Sequence, residues 1–155
     1  IREAARKGAN IILPQELFEY PNHKFVGYFI GSPGMNFVPY TMEDGKAKIG
    51  NCLIPVDDTT ARLANEAEGK LELGIRPLYL NISCEKIDGS FEANVKGVED
   101  QGSHRIVSVD FEGHTLKARI AENDPVPEGK PYLTFPVEWV RLFADEHLLT
   151  EDKEN

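Results

Sequence analysis

Ser32 stands between two glycines in Phe29-Ile30-Gly31-Ser32-Pro33-Gly34-Met35, a setting in which a serine could act as an exposed nucleophile. Such an elbow uses the amide N–H of the next residue to hold the oxyanion, and Pro33 has none. The knot therefore reads as a turn and helix cap. His104 and His114 flank a run of alternating residues and could face each other across a hairpin. Two imidazoles without a third ligand do not complete a metal site. Asp57-Asp58 and Glu99-Asp100 are adjacent carboxylates. Neighbours on a strand point to opposite faces, so these pairs suit solvated turns better than acid–base work. Trp139, among apolar neighbours, reads as a core or interface anchor. Cys52 and Cys84, far apart and without a Cys-x-x-Cys pair, read as buried hydrophobes in a cytosolic setting. Neither Gly-x-x-x-x-Gly-Lys-Ser/Thr nor Gly-x-Gly-x-x-Gly after a strand occurs, so the chain lacks the usual phosphate cradles. From these residues no catalytic, cofactor or metal site is expected.

The elements that would position these groups follow from composition and pattern. The 155 residues are 41% hydrophobic and 28% charged, as in globular domains. A net charge of −9 argues against binding to phosphate backbones, so no nucleic acid is expected. The acid gathers in Ala144–Asn155, read as ending in an acidic tail over 149–155. No apolar run approaches the roughly 20 residues of a membrane span. Ile1–Asn10 has the charges of a leader without its apolar core. The missing initiating Met suggests a piece of something longer.

Residues 2–7 favour a helix stopped by Gly8, and residues 10–13 a short strand. Pro14 begins a second helix, with Glu16 in its first turn and Pro21 closing it. Asn22 caps a third over 23–30, with Phe25, Tyr28 and Phe29 on one face, ending at Gly31. From Gly31 to about residue 143 the pattern changes to short β-type runs: 35–42, 46–56, 70–77, 78–84, 90–100, 104–120 and 131–136. Ile106–Phe111, Glu112-Gly113 and His114–Ile120 read as a hairpin, with Val107, Val109 and Phe111 facing Leu116, Ala118 and Ile120. Glu43–Lys46 and Ile87–Ser90 are further turns. Residues 59–70 suit a helical turn or a loop. Strands at this spacing predict a mainly β fold, a small barrel preceded by short N-terminal helices. The expected division is 1–30, 31–148 and 149–155.

Read as one unit, residues 14–39 resemble the ATPase subunits of ABC importers, in the maltose, polyol and glycerol-phosphate branch. Pro14, Glu16, Leu17, Phe18, Pro21, Phe25, Val26, Gly27, Phe29, Ile30, Gly31, Ser32, Pro33, Met35, Asn36 and Phe37 carry the match. Leu73-Gly74-Ile75-Arg76-Pro77 is similar to that family's Gly-Ile-Arg-Pro-Glu signature, with Leu78 in place of the acid. Residues 95–104 and 126–145 resemble its later strands. The resemblance implies a transport-associated OB-like β-barrel serving as a regulatory domain. It also implies pairing of two copies, contact with transmembrane permease subunits, and a place on the inner face of the membrane. ATP and Mg would belong to the longer parent. By the same resemblance, Gly31, Ser32, Pro33, Met35, Asn36, Gly74, Ile75, Arg76 and Pro77 form a hinge or regulatory interface. Residues 2–19 also resemble nitrilase-type carbon-nitrogen hydrolases, in which Glu16 would be the general base. The lysine and nucleophilic cysteine of that family find no counterpart here. A third reading is a small-molecule-binding OB-like module.

Overall fold

A computed structural model describes residues 14–29, 31 and 33–150. The expected helix at 2–7 and strand at 10–13 lie outside them, as do Ser32 and the side chains of Glu16, Phe25, Tyr28 and Phe29. The described residues begin with two short helices, α1 (Pro14–Glu19) and α2 (Lys24–Phe29). The strands follow: β1 (Asn36–Pro39), β2 (Thr41–Glu43), β3 (Lys46–Ile49), β4 (Cys52–Pro55) and, after helix α3 (Asp58–Glu66), β5 (Leu71–Ile75). Next come β6 (Asn81–Ser83), β7 (Phe91–Glu92), β8 (Asn94–Asp100), β9 (His104–Phe111), β10 (His114–Ala121) and β11 (Tyr132–Thr134). A 3-10 turn (Val137–Trp139) leads into β12 (Arg141–Ala144) and β13 (His147–Leu148).

The fold is mainly β and OB-like, but the strands do not close into one barrel ladder. Among the described residues they form four antiparallel sheets, in the orders β1-β5-β12-β13, β2-β3-β4, β6-β11-β7 and β10-β9-β8. The run 35–42, read as one strand, breaks at Tyr40 and feeds two sheets, with Tyr40 N still donating to the Leu71 carbonyl at 3.3 Å. Residues 59–70 contribute to a nine-residue helix, α3, rather than a single turn. Asp57 caps it, accepting from Thr60 N at 2.8 Å.

The β9–β10 hairpin has the expected register, with Leu116 opposite Val109 and Ala118 opposite Val107. All four side chains are fully buried, while the intervening residues of β10 face solvent. Its two-residue turn places both Glu112 (φ 50°) and Gly113 (φ 84°) in the left-handed region that tight hairpins require. One apolar cluster joins the four sheets, from Val38, Ile54 and Leu73 to Val107, Phe111, Leu133 and Leu142. Within it Phe111 and Phe135 pack at 5.5 Å, and Phe91 lies 6.2 Å from each.

Other expectations fail for geometric reasons. His104 and His114 each begin a strand of one antiparallel hairpin, so they lie at opposite ends: His114 pairs with Phe111 and His104 with Ala121. They do not face each other. Cys84 is exposed and Cys52 half-buried, and both are free thiols rather than core residues. Glu99 and Asp100 lie on β8 and not in a turn, whereas Asp57-Asp58 does occupy a helix start. Among the described residues no helix is long and apolar enough to cross a membrane.

Candidate functional site

Of the residues marked by the importer resemblance, Gly27, Met35, Phe37, Gly74 and Arg76 meet where α1 and α2 lie against the β1-β5-β12-β13 sheet. Asn36 and Ile75 are register partners at one end of the β1–β5 ladder, with Phe37 opposite Gly74. Glycine is required at 74, since a Cβ there would come within 2.7 Å of Met35 Sδ and 3.0 Å of Phe143. Gly27 of α2 meets the same group from the other side, near Met35 and Phe37. Met35 is buried, and its amide donates to the Gly27 carbonyl at 3.0 Å. The loop through Gly31 and Pro33 is thus bound back onto the helix it follows.

Arg76, at the end of β5, is 2% exposed and reaches under both helices. Its Nε donates to the Phe18 carbonyl at 3.1 Å and its Nη1 to the Gly27 carbonyl at 2.8 Å. The Phe18 ring covers the guanidinium at 4.3 Å. Burial draws the Arg76 pKa down to about 10, opposed in part by Tyr79. Gly31 (φ 107°) lies close beside it, and a Cβ there would come within 2.9 Å of Arg76 Nη1. Pro77 is buried, and its carbonyl accepts from Arg119 N at 2.9 Å.

A second arginine, which the motif reading missed, completes the grip. Arg141 Nε donates to the Glu19 carbonyl at 2.6 Å, and Nη1 to the Glu138 carbonyl at 2.7 Å. The last carbonyls of a helix have no intrahelical donors. Phe18 and Glu19 end α1, and two arginines, Arg76 just after β5 and Arg141 on β12, supply them. Tyr79 and Trp139 stack at 3.8 Å, 4° from parallel, with the Arg141 guanidinium 5.7 Å from the Trp139 ring. Trp139 is half-buried and packs on Tyr79 rather than within the apolar cluster.

The outer edge of the seam is ionic and backbone-paired. Lys24 of α2 reaches Glu72 at 2.7 Å, and that carboxylate is only 4% exposed. Lys24 N donates to the Glu146 carbonyl and Leu148 N to the Asn22 carbonyl. The His23 and His147 rings meet edge to face at 4.8 Å. On the far side, the Asn36 side chain exchanges two hydrogen bonds with the Lys117 backbone of β10.

These residues can join and orient chain segments. Among the described residues no group of three or more His, Cys, Asp or Glu side chains could hold a metal ion. Sequence reasoning missed Arg141, Lys24 and Glu72, and only the seam itself could have revealed them.

The geometry defines an OB-like β domain with a short helical segment tied onto one of its sheets. Residues 31–77 match the MalK OB fold domain and residues 85–131 the TOBE domain. The maltose/maltodextrin import ATP-binding protein MalK of Photobacterium profundum is 41% identical over 101 residues, covering 57% of this chain and 25% of that protein. The sn-glycerol-3-phosphate import ATP-binding protein UgpC 1 of Rhizobium johnstonii is 26% identical over 132 residues, 84% of this chain and 36% of that protein. The diacetylchitobiose uptake system ATP-binding protein MsiK of Streptomyces coelicolor is 33% identical over 70 residues, 44% of this chain and 18% of that protein. The cytoplasmic molybdate-binding protein ModG shares the fold, with a TM-score of 0.53 at 10% identity, over 72% of this chain and 95% of that one. The chain thus carries a MalK-type OB fold domain followed by a TOBE domain, as the importer resemblance implies, and its relatives are import ATP-binding proteins. It spans about a quarter to a third of the length of MalK and UgpC 1. These matches favour the importer resemblance over the amidase one.

Proposed function

We propose that this chain is the regulatory and dimerisation portion of the ATP-binding subunit of an ABC importer for carbohydrates, polyols or glycerol phosphate. The observation that carries this reading is the succession of a MalK-type OB fold domain and a TOBE domain in one short chain. ATP and Mg bind a nucleotide-binding domain of the longer protein, and this portion performs no catalysis. Two copies of the subunit pair and work with transmembrane permease subunits at the cytoplasmic face of the membrane. Gly31, Ser32, Pro33, Met35, Asn36, Gly74, Ile75, Arg76 and Pro77 then form the interface through which the ATPase side and the β domain move as one.

The physical support is the double grip on α1. Two buried arginines holding consecutive carbonyls make a stiff connection, suited to passing a displacement between domains. Self-association has a candidate surface in β8, an edge strand whose residues are mostly exposed, with Val98 42% exposed. The test is reconstitution of the full-length gene product with its permease partners in liposomes. Substrate-stimulated ATP hydrolysis that falls when Arg76 is replaced by alanine supports the proposal. A gene product that neither binds ATP nor joins a permease contradicts it.

A further inference from the structure

The pocket between the start of α3, the 3-10 turn and β13 has a buried cation in its wall. Its volume is about 430 Å³, and Arg141, Tyr20, Thr59 and Leu63 are among its lining residues. Arg141 is 8% exposed. Nε and Nη1 are bonded to the Glu19 and Glu138 carbonyls, while Nη2 has no hydrogen-bond partner among the described residues. Among the described residues no carboxylate forms an ion pair with this guanidinium. Asp57 lines the same pocket, but its two oxygens are committed to Thr60 N and Thr60 Oγ1, at 2.8 and 2.9 Å.

A buried guanidinium satisfied only by carbonyl dipoles lacks a counter-anion, and one unbonded N–H₂ group is left in low dielectric. Burial lowers the Arg141 pKa, opposed in part by Tyr20, Glu19, Asp57 and Tyr79. The rest of the wall is mixed: Leu63, Leu142, Leu148 and Leu149 supply an aliphatic part, beside threonines and the acids Asp57 and Glu138. The Tyr20 ring lies 4.2 Å from the guanidinium carbon and is 56% exposed, so it covers the cation from the solvent side without being held in the core.

We propose that this pocket binds a small aliphatic monocarboxylate, whose carboxylate accepts from Arg141 Nη2 once the Tyr20 ring turns aside. The leucines take the hydrocarbon body. Asp57 and Glu138 at the same pocket repel multiply charged anions, which selects one negative charge. Because Arg141 also holds the Glu19 carbonyl, occupancy acts directly on the end of α1.

The test is calorimetric titration of the chain with 4-methylpentanoate, 4-methylpentanamide and inorganic phosphate, with thermal unfolding in parallel. The proposal expects saturable binding of the acid alone and a rise of a few degrees in Tm at saturation. Thr59→Glu places a carboxylate on an exposed residue of the first helical turn, where acid is tolerated, and should weaken the acid roughly tenfold or more. Tyr20→Ala should bind the acid at least as well as the parent, and Arg141→Lys should lose it. The proposal is overturned by equal binding of the amide or of phosphate, by unaltered affinity in Thr59→Glu, or by no saturable heat with the acid.

Discussion

The Asn36 side chain and the Lys117 backbone exchange hydrogen bonds at 2.9 and 2.8 Å, across 81 residues of sequence. One amide does here what a strand residue does in a ladder, and it stitches β1 to β10 where the two sheets have no shared register. Asn36→Leu keeps the volume and leaves Lys117 N and O without partners. Urea unfolding should show a loss of about 2–3 kcal/mol. Asn36→Asp keeps the acceptor and loses the donor, so it should fall between the two.

Arg76→Lys preserves the charge but not the planar fork that reaches Phe18 and Gly27 together. The expected cost is about 2 kcal/mol. It should be local as well as global. Amide exchange at Met35, which donates to the Gly27 carbonyl, should accelerate more than exchange at Val107 or Val109 in the central hairpin.

Much of the β region was legible because its signals are local. Val107, Val109 and Phe111 alternate with polar residues, and Glu112-Gly113 supplies the turn between the strands. The seam was legible only in part. Arg76 is marked by its Gly-Ile-Arg-Pro setting, whereas Arg141 sits in Val-Arg-Leu-Phe with nothing local to distinguish it from a surface arginine. Its burial comes from a carbonyl 122 residues away. The pairing of His104 with His114 failed on strand direction, since two residues that each begin a strand of one hairpin end up at its opposite ends. Closure into a barrel was overestimated because alternation gives faces and not the breaks between sheets, such as the one at Tyr40.

The turn from β12 to β13 places Asp145 (φ 47°) and Glu146 (φ 72°) in the left-handed region without a glycine. Asp145 is tied to Lys70 at both backbone and side chain, and the Glu146 carbonyl accepts from Lys24 N at 2.7 Å. Glu146→Gly relieves the steric cost and keeps that carbonyl. Chemical denaturation should show a gain of about 0.5–1 kcal/mol.

Gly74→Ala should cost about 1–3 kcal/mol, because its methyl group meets Met35 and Phe143 in a filled core. Met35→Ala in the same chain should recover part of that loss by making room. Additive losses in the double variant would contradict the packing described here.

The two cysteines should differ sharply towards thiol reagents. Burial, with Glu112 beside it, pushes the Cys52 thiol up to about 11, and only the thiolate reacts. A raised thiol pKa favours the folded state below the unfolded value near 8.5, and that advantage fades as pH rises towards 11. Mass spectrometry at pH 8 should find Cys84 modified first, with Cys52 following only at higher pH or on unfolding. Equal rates would place Cys52 in a different environment.

The central claim is that this chain couples and pairs the ATP-binding subunits of an importer. Sedimentation equilibrium of the full-length gene product, compared with a form ending just before residue 14, tests it most directly. The account predicts a dimer for the complete protein and a shift towards monomer once residues 14–155 are removed. The same oligomeric state in both forms would contradict it.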